Sequence, residues 1–285
     1  MARAVQVTES CTHHGEGPLW DSRAGKLFFV DMLAGVVAEW DTSGSVKRHV
    51  VGAVAAVVRA RARGGYVLGV ERGFAFANGD FSAVETLPPV FADETVRMND
   101  GGCDPQGRFY CGSMAYAETP GAGTLFRLNL DLSVERVLEG VTISNGLQWT
   151  RDGSSAYYSD TATGRIDVFD FDADTGAFSG RRPFVELDPM SGAPDGLAID
   201  EEDGLWVALW GGGAVHRYDA RGCLSEVIEL PVPKVTACTF GGDDGRTLYI
   251  TTSRDGLASG ELPEAGAVFS VRAGVPGAAP HAFAG

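Results

Sequence analysis

A repeated template limits how this chain can fold more than any single motif does. The stretches "GPLWDSRAGKLFFVD" (17–31), "GGCDPQGRFYCGS" (101–113), "GLQWTRDGSSAYYSD" (146–160), "GLAIDEEDGLWVALW" (196–210) and "TFGGDDGRTLYITTS" (239–253) run through the same features in the same order. A glycine comes first, then a few residues, a polar turn carrying Asp or Gly, and an apolar run with aromatics. A weaker copy, "VVRARARGGYVLGV" (57–70), fills the gap between the first two. Counting it, the starts recur every 45 residues or so, roughly the period of propeller blades.

Four copies lead into a second run: "VVAEWD" (36–41), "TLFRLNLD" (124–131), "RIDVFDFD" (165–172) and "AVHRYD" (214–219). The connectors "LAG", "TATG" and "WGGG" read as hairpin turns. No segment holds a 3.6-residue apolar period over a helical length, so helix should be nearly absent. A chain with 39 glycines also favours many turns over long helices. The expectation is an all-β, six-bladed β-propeller with four-stranded blades, one domain over residues 1–285. The short run "AVQVT" (4–8) is expected to complete the last blade and close the ring.

Composition narrows the class of partner. A formal charge of −15 argues against nucleic acid and anionic membrane, which need clustered Lys and Arg. No apolar run reaches the length of a membrane span, and the N-terminal "MARAVQVTESCTHH" has no signal-like core. The five cysteines are scattered without a C-x-x-C pair, as expected of buried free thiols in a reducing compartment. These features predict a cytoplasmic protein, a monomer or weak homo-oligomer, whose partner is a small molecule.

Within the repeat, Glu16, Asn99, Asp100, Asn145 and Asp195 share one phase, just ahead of or at the start of a blade's first strand. In a propeller those strands line the central channel, so oxygen-bearing side chains from different blades can meet there. Taken singly, Asn145-Gly146, Asp195-Gly196 and Asn99-Asp100-Gly101 also read as turn pairs. Glu16 does not, because no turn favours Glu between two glycines. Asp160 and Asp243-Asp244 read as blade turns or strand-end caps, and so does Asp100. Trp20, Trp149 and Trp206 read as blade packing, and His13-His14 as a loop at the pocket mouth with no ligating role.

Six ordered segments carry a resemblance: "GEGPLW" (15–20), "RMNDGGCDPQGRFYCGSM" (97–114), "ISNGLQW" (143–149), "PDGLAID" (194–200), "GLWVALWGG" (204–212) and "CTFGGDDGRTLYITTSRDG" (238–256). Together they resemble the SMP-30/gluconolactonase/regucalcin-like family, which includes bacterial sugar lactonases. The resemblance implies metal ligands at Glu16, Asn145 and Asp195, and substrate contacts at Arg97 and Asn99. It also implies Asp195 as the catalytic base. An acidic substrate contact can follow "GSM" in the family, where "AYAETPGAGT" (115–124) offers Glu118 and Tyr116. The implied activity is hydrolysis of a sugar lactone with one divalent metal ion.

Two carboxylates and an amide suit Ca, Mg, Mn or Fe(II), and zinc can also be bound this way. Such a cation would polarise the lactone carbonyl while Asp195 takes a proton from the attacking water. Neither G-x-S-x-G nor a phosphate-binding glycine loop is present, which removes the commonest serine-esterase and nucleotide readings. Two alternatives share the fold: a non-catalytic calcium- or ligand-binding propeller, and a hydrolase of another ester or a phosphotriester.

Overall fold

A computed structural model describes residues 2–258 and 260–285. Among these residues, six sheets follow one another in chain order, each built on an antiparallel meander running outward from an innermost strand. The innermost strands are Gly15–Asp21, Ala55–Ala60, Val96–Cys103, Ser144–Trp149, Ala193–Ile199 and Val235–Gly241, opening blades 1 to 6. Each packs against its neighbours around a common axis, which makes the molecule a six-bladed β-propeller. The second strands, such as "KLFFVD" (26–31) and "LWVALW" (205–210), lie between flanking blades and are apolar almost throughout. The described helix is confined to three short 3₁₀ turns, Met32–Ala34, Thr161–Thr163 and Pro189–Ser191.

Ring closure follows the expectation and goes beyond it. Val5–Gln6 pairs antiparallel with Phe269–Arg272 and completes blade 6. Ala2–Arg3 then runs parallel to the outer strand of blade 5, so that blade has five strands rather than four. The C-terminal segment crosses the end of the ring where the innermost strands finish. There, Ala278 N donates to Ile199 O of blade 5 (3.0 Å), Phe283 N to Ala60 O of blade 2 (2.9 Å) and Ala284 N to Gly107 O of blade 3 (2.9 Å). Phe283 is fully buried in the core shared by blades 1 to 3. The tail covers a cavity of about 330 Å³ on the axis, bordered by Gly17, Arg59, Asp100 and Gly196. That end is called the rear here, and the end where the innermost strands begin is the front.

One irregularity recurs in all six blades. The pairing of the innermost strand with the second slips between Glu16 and Leu19, Ala55 and Val57, Met98 and Gly101, Ser144 and Leu147, Pro194 and Leu197, and Val235 and Ala237. A β-bulge redirects side chains that regular pleating would send to the sheet faces. Glu16, Asn99, Asp100, Asn145 and Asp195 all sit at these bulges, which explains their common phase in the sequence.

The turn-pair reading of the glycines is therefore incorrect. Gly146 and Gly196 lie inside strands, where a neighbouring blade comes too close for any side chain. A Cβ on Gly146 would sit 2.6 Å from Leu197 N, and one on Gly196 would sit 2.5 Å from Ala237 Cβ. Asp100 is likewise no turn residue: it is buried on the channel wall, its carboxylate accepting from Gly101 N at 2.7 Å. Asp160 does cap a strand end, accepting from Thr142 N and Ile143 N. Cys103, Cys111 and Cys238 are buried free thiols as expected, whereas Cys223 is exposed. Trp149 and Trp206 are buried within blades, and Trp20 stacks on Tyr249 with ring centroids 5.5 Å apart.

Candidate active site

Three bulges bring Glu16, Asn145 and Asp195 to the axis near the front, and all three side chains are buried. Their hydrogen bonding is incomplete in an informative way. Asn145 Nδ2 donates to Thr161 Oγ1 at 2.9 Å, and that hydroxyl in turn donates to Pro194 O at 2.8 Å. Because the hydroxyl proton is committed to the carbonyl, Thr161 can only accept from Asn145, which fixes the orientation of the amide. Asn145 Oδ1 is left buried without a hydrogen-bond partner among the described residues, and so is Asp195 Oδ1. Each buried orphan acceptor costs about 1–3 kcal/mol, and a charged one more. Two of them at one place point to a missing positive partner.

Electrostatics agree with the geometry. Burial, then the negative charge of Asp100, pushes the Glu16 carboxyl up to about 8. Burial, then Glu16 and Asp100, holds Asp195 well above the ordinary carboxylate range. Carboxyls crowded in this way favour either a shared proton or a bound cation. Glu16, Asp195 and the Asn145 amide oxygen form an all-oxygen donor set suited to a hard or borderline divalent ion. Among the described residues, no three His, Cys, Asp or Glu side chains gather as a metal cluster, and here the third donor is an amide. The residues therefore fit the implied ion through their chemistry and their two unmet acceptors.

Arg97 lies beside this set. It is buried, and its Nη1 donates to Asn99 Oδ1 at 2.6 Å and to Met98 O at 3.0 Å, while Nε has no partner among the described residues. Asn99 Nδ2 donates to Ser144 O at 2.8 Å, so Asn99 spends its amide on holding Arg97 and the start of blade 4. The Arg97 guanidinium lies 5.8 Å from the centre of the Tyr116 ring, and Tyr116 donates to Glu71 Oε1 at 2.8 Å. Glu118 lies two residues on, in an exposed turn with φ of 53°, near enough for its charge to act on Arg97. Behind the site, Asp100 faces the rear cavity with Arg59 Nη2 3.7 Å from its carboxylate.

Sequence reasoning missed residues that end second strands or follow them at the front of the ring. These include Met32, Thr161, Trp210 and Ser253, of which Ser253 pairs with His14, the residue the sequence sets at the pocket mouth. The repeat held a usable signal, because each of the four ends a copy or directly follows it. His14 bridges to Ser253 across the blade 1–blade 6 junction, with Nδ1 2.8 Å from Ser253 Oγ. Burial, with the positive charge of Arg97 adding to it, lowers the imidazole to about 4.

Comparisons with known proteins find relatives over nearly the whole chain. Residues 14–254 match the family model described as SMP-30/Gluconolactonase/LRE-like region. Regucalcin of Bos taurus is 39% identical over 291 residues, covering 98% of this chain and 97% of its own. The structure of a calcium-binding protein, regucalcin, from Agrobacterium tumefaciens superposes with a TM-score of 0.92 at 25% identity, over 99% of this chain and 97% of that one. A luciferin-regenerating enzyme superposes with a TM-score of 0.90 at 29% identity, over 98% of this chain and all of that one.

Proposed function

The chain belongs to the SMP-30/gluconolactonase/LRE-like family, and from that premise we propose that it is a divalent-metal-dependent lactonase that opens a sugar lactone. The observation that carries this reading is the pair of buried, unpartnered oxygens, Asn145 Oδ1 and Asp195 Oδ1, beside a buried Glu16. Glu16, Asn145 and Asp195 would hold the ion. When bound, it would supply a Lewis acid for the lactone carbonyl and for the charge that develops on its oxygen.

The rest of the chemistry falls to the side chains. Asp195 takes a proton from the attacking water and returns one to the ring oxygen as the C–O bond breaks. Arg97 has a free Nε–H beside the site and orients the substrate's oxygens. Asn99 holds the Arg97 guanidinium in place through its Oδ1. Glu118 and Tyr116 border the mouth on the blade 3 side, where they meet the hydroxylated end of the substrate. Burial of the carboxylates keeps water from competing for them, which strengthens each of these contacts.

A chelator-stripped hydrolysis assay tests the proposal. Gluconolactone and xylonolactone would be supplied while Ca, Mg, Mn, Zn or Fe(II) is restored singly, and spontaneous opening subtracted. Turnover should return with at least one ion and stay absent in Asp195→Ala. Full turnover in the stripped enzyme, or in that variant, would rule the mechanism out. A second reading, calcium binding without catalysis, is favoured by the same donor set and by the calcium-binding relative from Agrobacterium tumefaciens. Tight calcium binding with no hydrolysis of any lactone would select it.

A further inference from the structure

The front mouth has two unlike sides. Blade 3 supplies Arg97, Asn99 and Tyr116. Across the ring, where blades 5, 6 and 1 meet, stands a second wall that the proposed chemistry leaves unused. His14 is fixed there on three sides. Its Nδ1 is bonded to Ser253 Oγ at 2.8 Å, and the edge of its ring meets Trp210 with centroids 5.7 Å apart. Its carbonyl accepts from Met32 N at 3.0 Å. Met32 also joins this wall to the other, since its Sδ lies 3.0 Å from Arg97 Nη1.

The wall is held in place from outside as well. Lys234 Nζ lies 4.5 Å from the centre of the Trp210 ring and donates to Asp255 O at 2.6 Å. His13, the neighbouring histidine, turns away to face Asp255 at 3.7 Å on the surface. His14 Nε2 is different: it meets no hydrogen-bond partner among the described residues, and the residue is largely but not fully buried. A rotationally locked side chain with one unspent polar atom, joined through Met32 to the substrate-orienting arginine, is built to read a ligand.

We infer that His14 is a specificity-determining residue, recognising through Nε2 a hydroxyl of a polyhydroxylated lactone and so favouring it over an unsubstituted ring. This assignment rests on the lactonase reading. With the carbonyl at Asp195, a sugar lactone extends its hydroxyl-bearing carbons between the Arg97 and His14 walls. A plain alkyl lactone presents nothing there to either wall, and it leaves the polar groups of both unmatched.

The test compares wild type, His14→Leu and His14→Gln on glucono-1,5-lactone and δ-valerolactone, with Ca binding by calorimetry as a second readout. For His14→Leu, the preference for gluconolactone, read as the ratio of kcat/KM values, should fall about tenfold, mainly through KM. His14→Gln, which keeps a polar terminus, should restore part of it. Calcium affinity should match wild type in both variants. An unchanged preference, or a fall in calcium affinity alongside activity, would overturn the assignment while the lactonase reading stands. A wild-type protein inactive on every lactone would overturn both.

Discussion

Blades 5 and 6 use the same backbone device to opposite ends. Each carries a bulge at the front of its innermost strand, between Pro194 and Leu197 in one and between Val235 and Ala237 in the other. The blade 6 bulge presents Thr236, whose hydroxyl donates to Gly15 O at 2.6 Å and lies 2.8 Å from Thr251 Oγ1. Every polar atom there is satisfied, and the residue ties blade 6 to blade 1. The blade 5 bulge presents Asp195, whose Oδ1 is also buried yet has no partner among the described residues. The scaffold is thus repeated while the chemistry is not. The unsatisfied acceptor, rather than the bulge, marks where a ligand belongs.

The largest effect expected from breaking this contrast is at blade 5. Asp195→Ala should cut lactone turnover by about 10³-fold or more, with circular dichroism unchanged, because it removes both a metal ligand and the base. Next comes the close approach that sets the blade 4 and blade 5 bulges side by side. Gly146→Val must force the Leu197 backbone away, and a loss of about 2–3 kcal/mol in chemical denaturation is expected. Thr161→Val keeps the shape but frees the Asn145 amide to rotate, so metal affinity should fall about 10–100-fold with the melting temperature nearly unchanged. The mildest change is at blade 6. Thr236→Val should cost about 1 kcal/mol of stability and leave metal affinity and turnover as they were.

The pH behaviour of metal-free protein separates the same two bulges. A carboxyl whose folded pKa is raised stabilises the fold fully below its ordinary pKa, and that contribution is lost as pH climbs through the raised value. For Glu16 the window runs from 4.5 to about 8, and Asp195 acts in the same direction. Stripped protein should therefore melt at progressively lower temperature across that range. Added divalent ion should raise the melting temperature more at pH 8 than at pH 5. Asp195→Asn should flatten both trends, and Thr236→Val should leave them in place.

The ring was legible in the sequence because each blade repeats the same turn and apolar run, so one period describes six sheets. Glu16, Asn145 and Asp195 were legible for the same reason, since a shared bulge places them in one phase. The glycines misled, because Asn-Gly and Asp-Gly mark turns in most chains. Here Gly146 and Gly196 yield space to a neighbouring blade, a tertiary fact that no local pattern encodes. Asp100 was misread for a related cause: the bulge that turns it to the channel wall, and the Arg59 of another blade that faces it, are features of the folded sheet and ring. The fifth strand of blade 5 and the tail across the rear depend on where the chain ends return. Thr161, and the fixed position of His14 beyond its mouth loop, stood out only once their partners, Pro194 and Ser253, were brought near in space.

Calorimetric titration of chelator-stripped protein with calcium, manganese and zinc, run beside Asp195→Ala and Thr236→Val, tests the central claim most directly. The account predicts one ion per chain for at least one of the three metals, lost in Asp195→Ala and kept in Thr236→Val. Binding that survives in Asp195→Ala, or wild-type protein that takes up no ion, would contradict it.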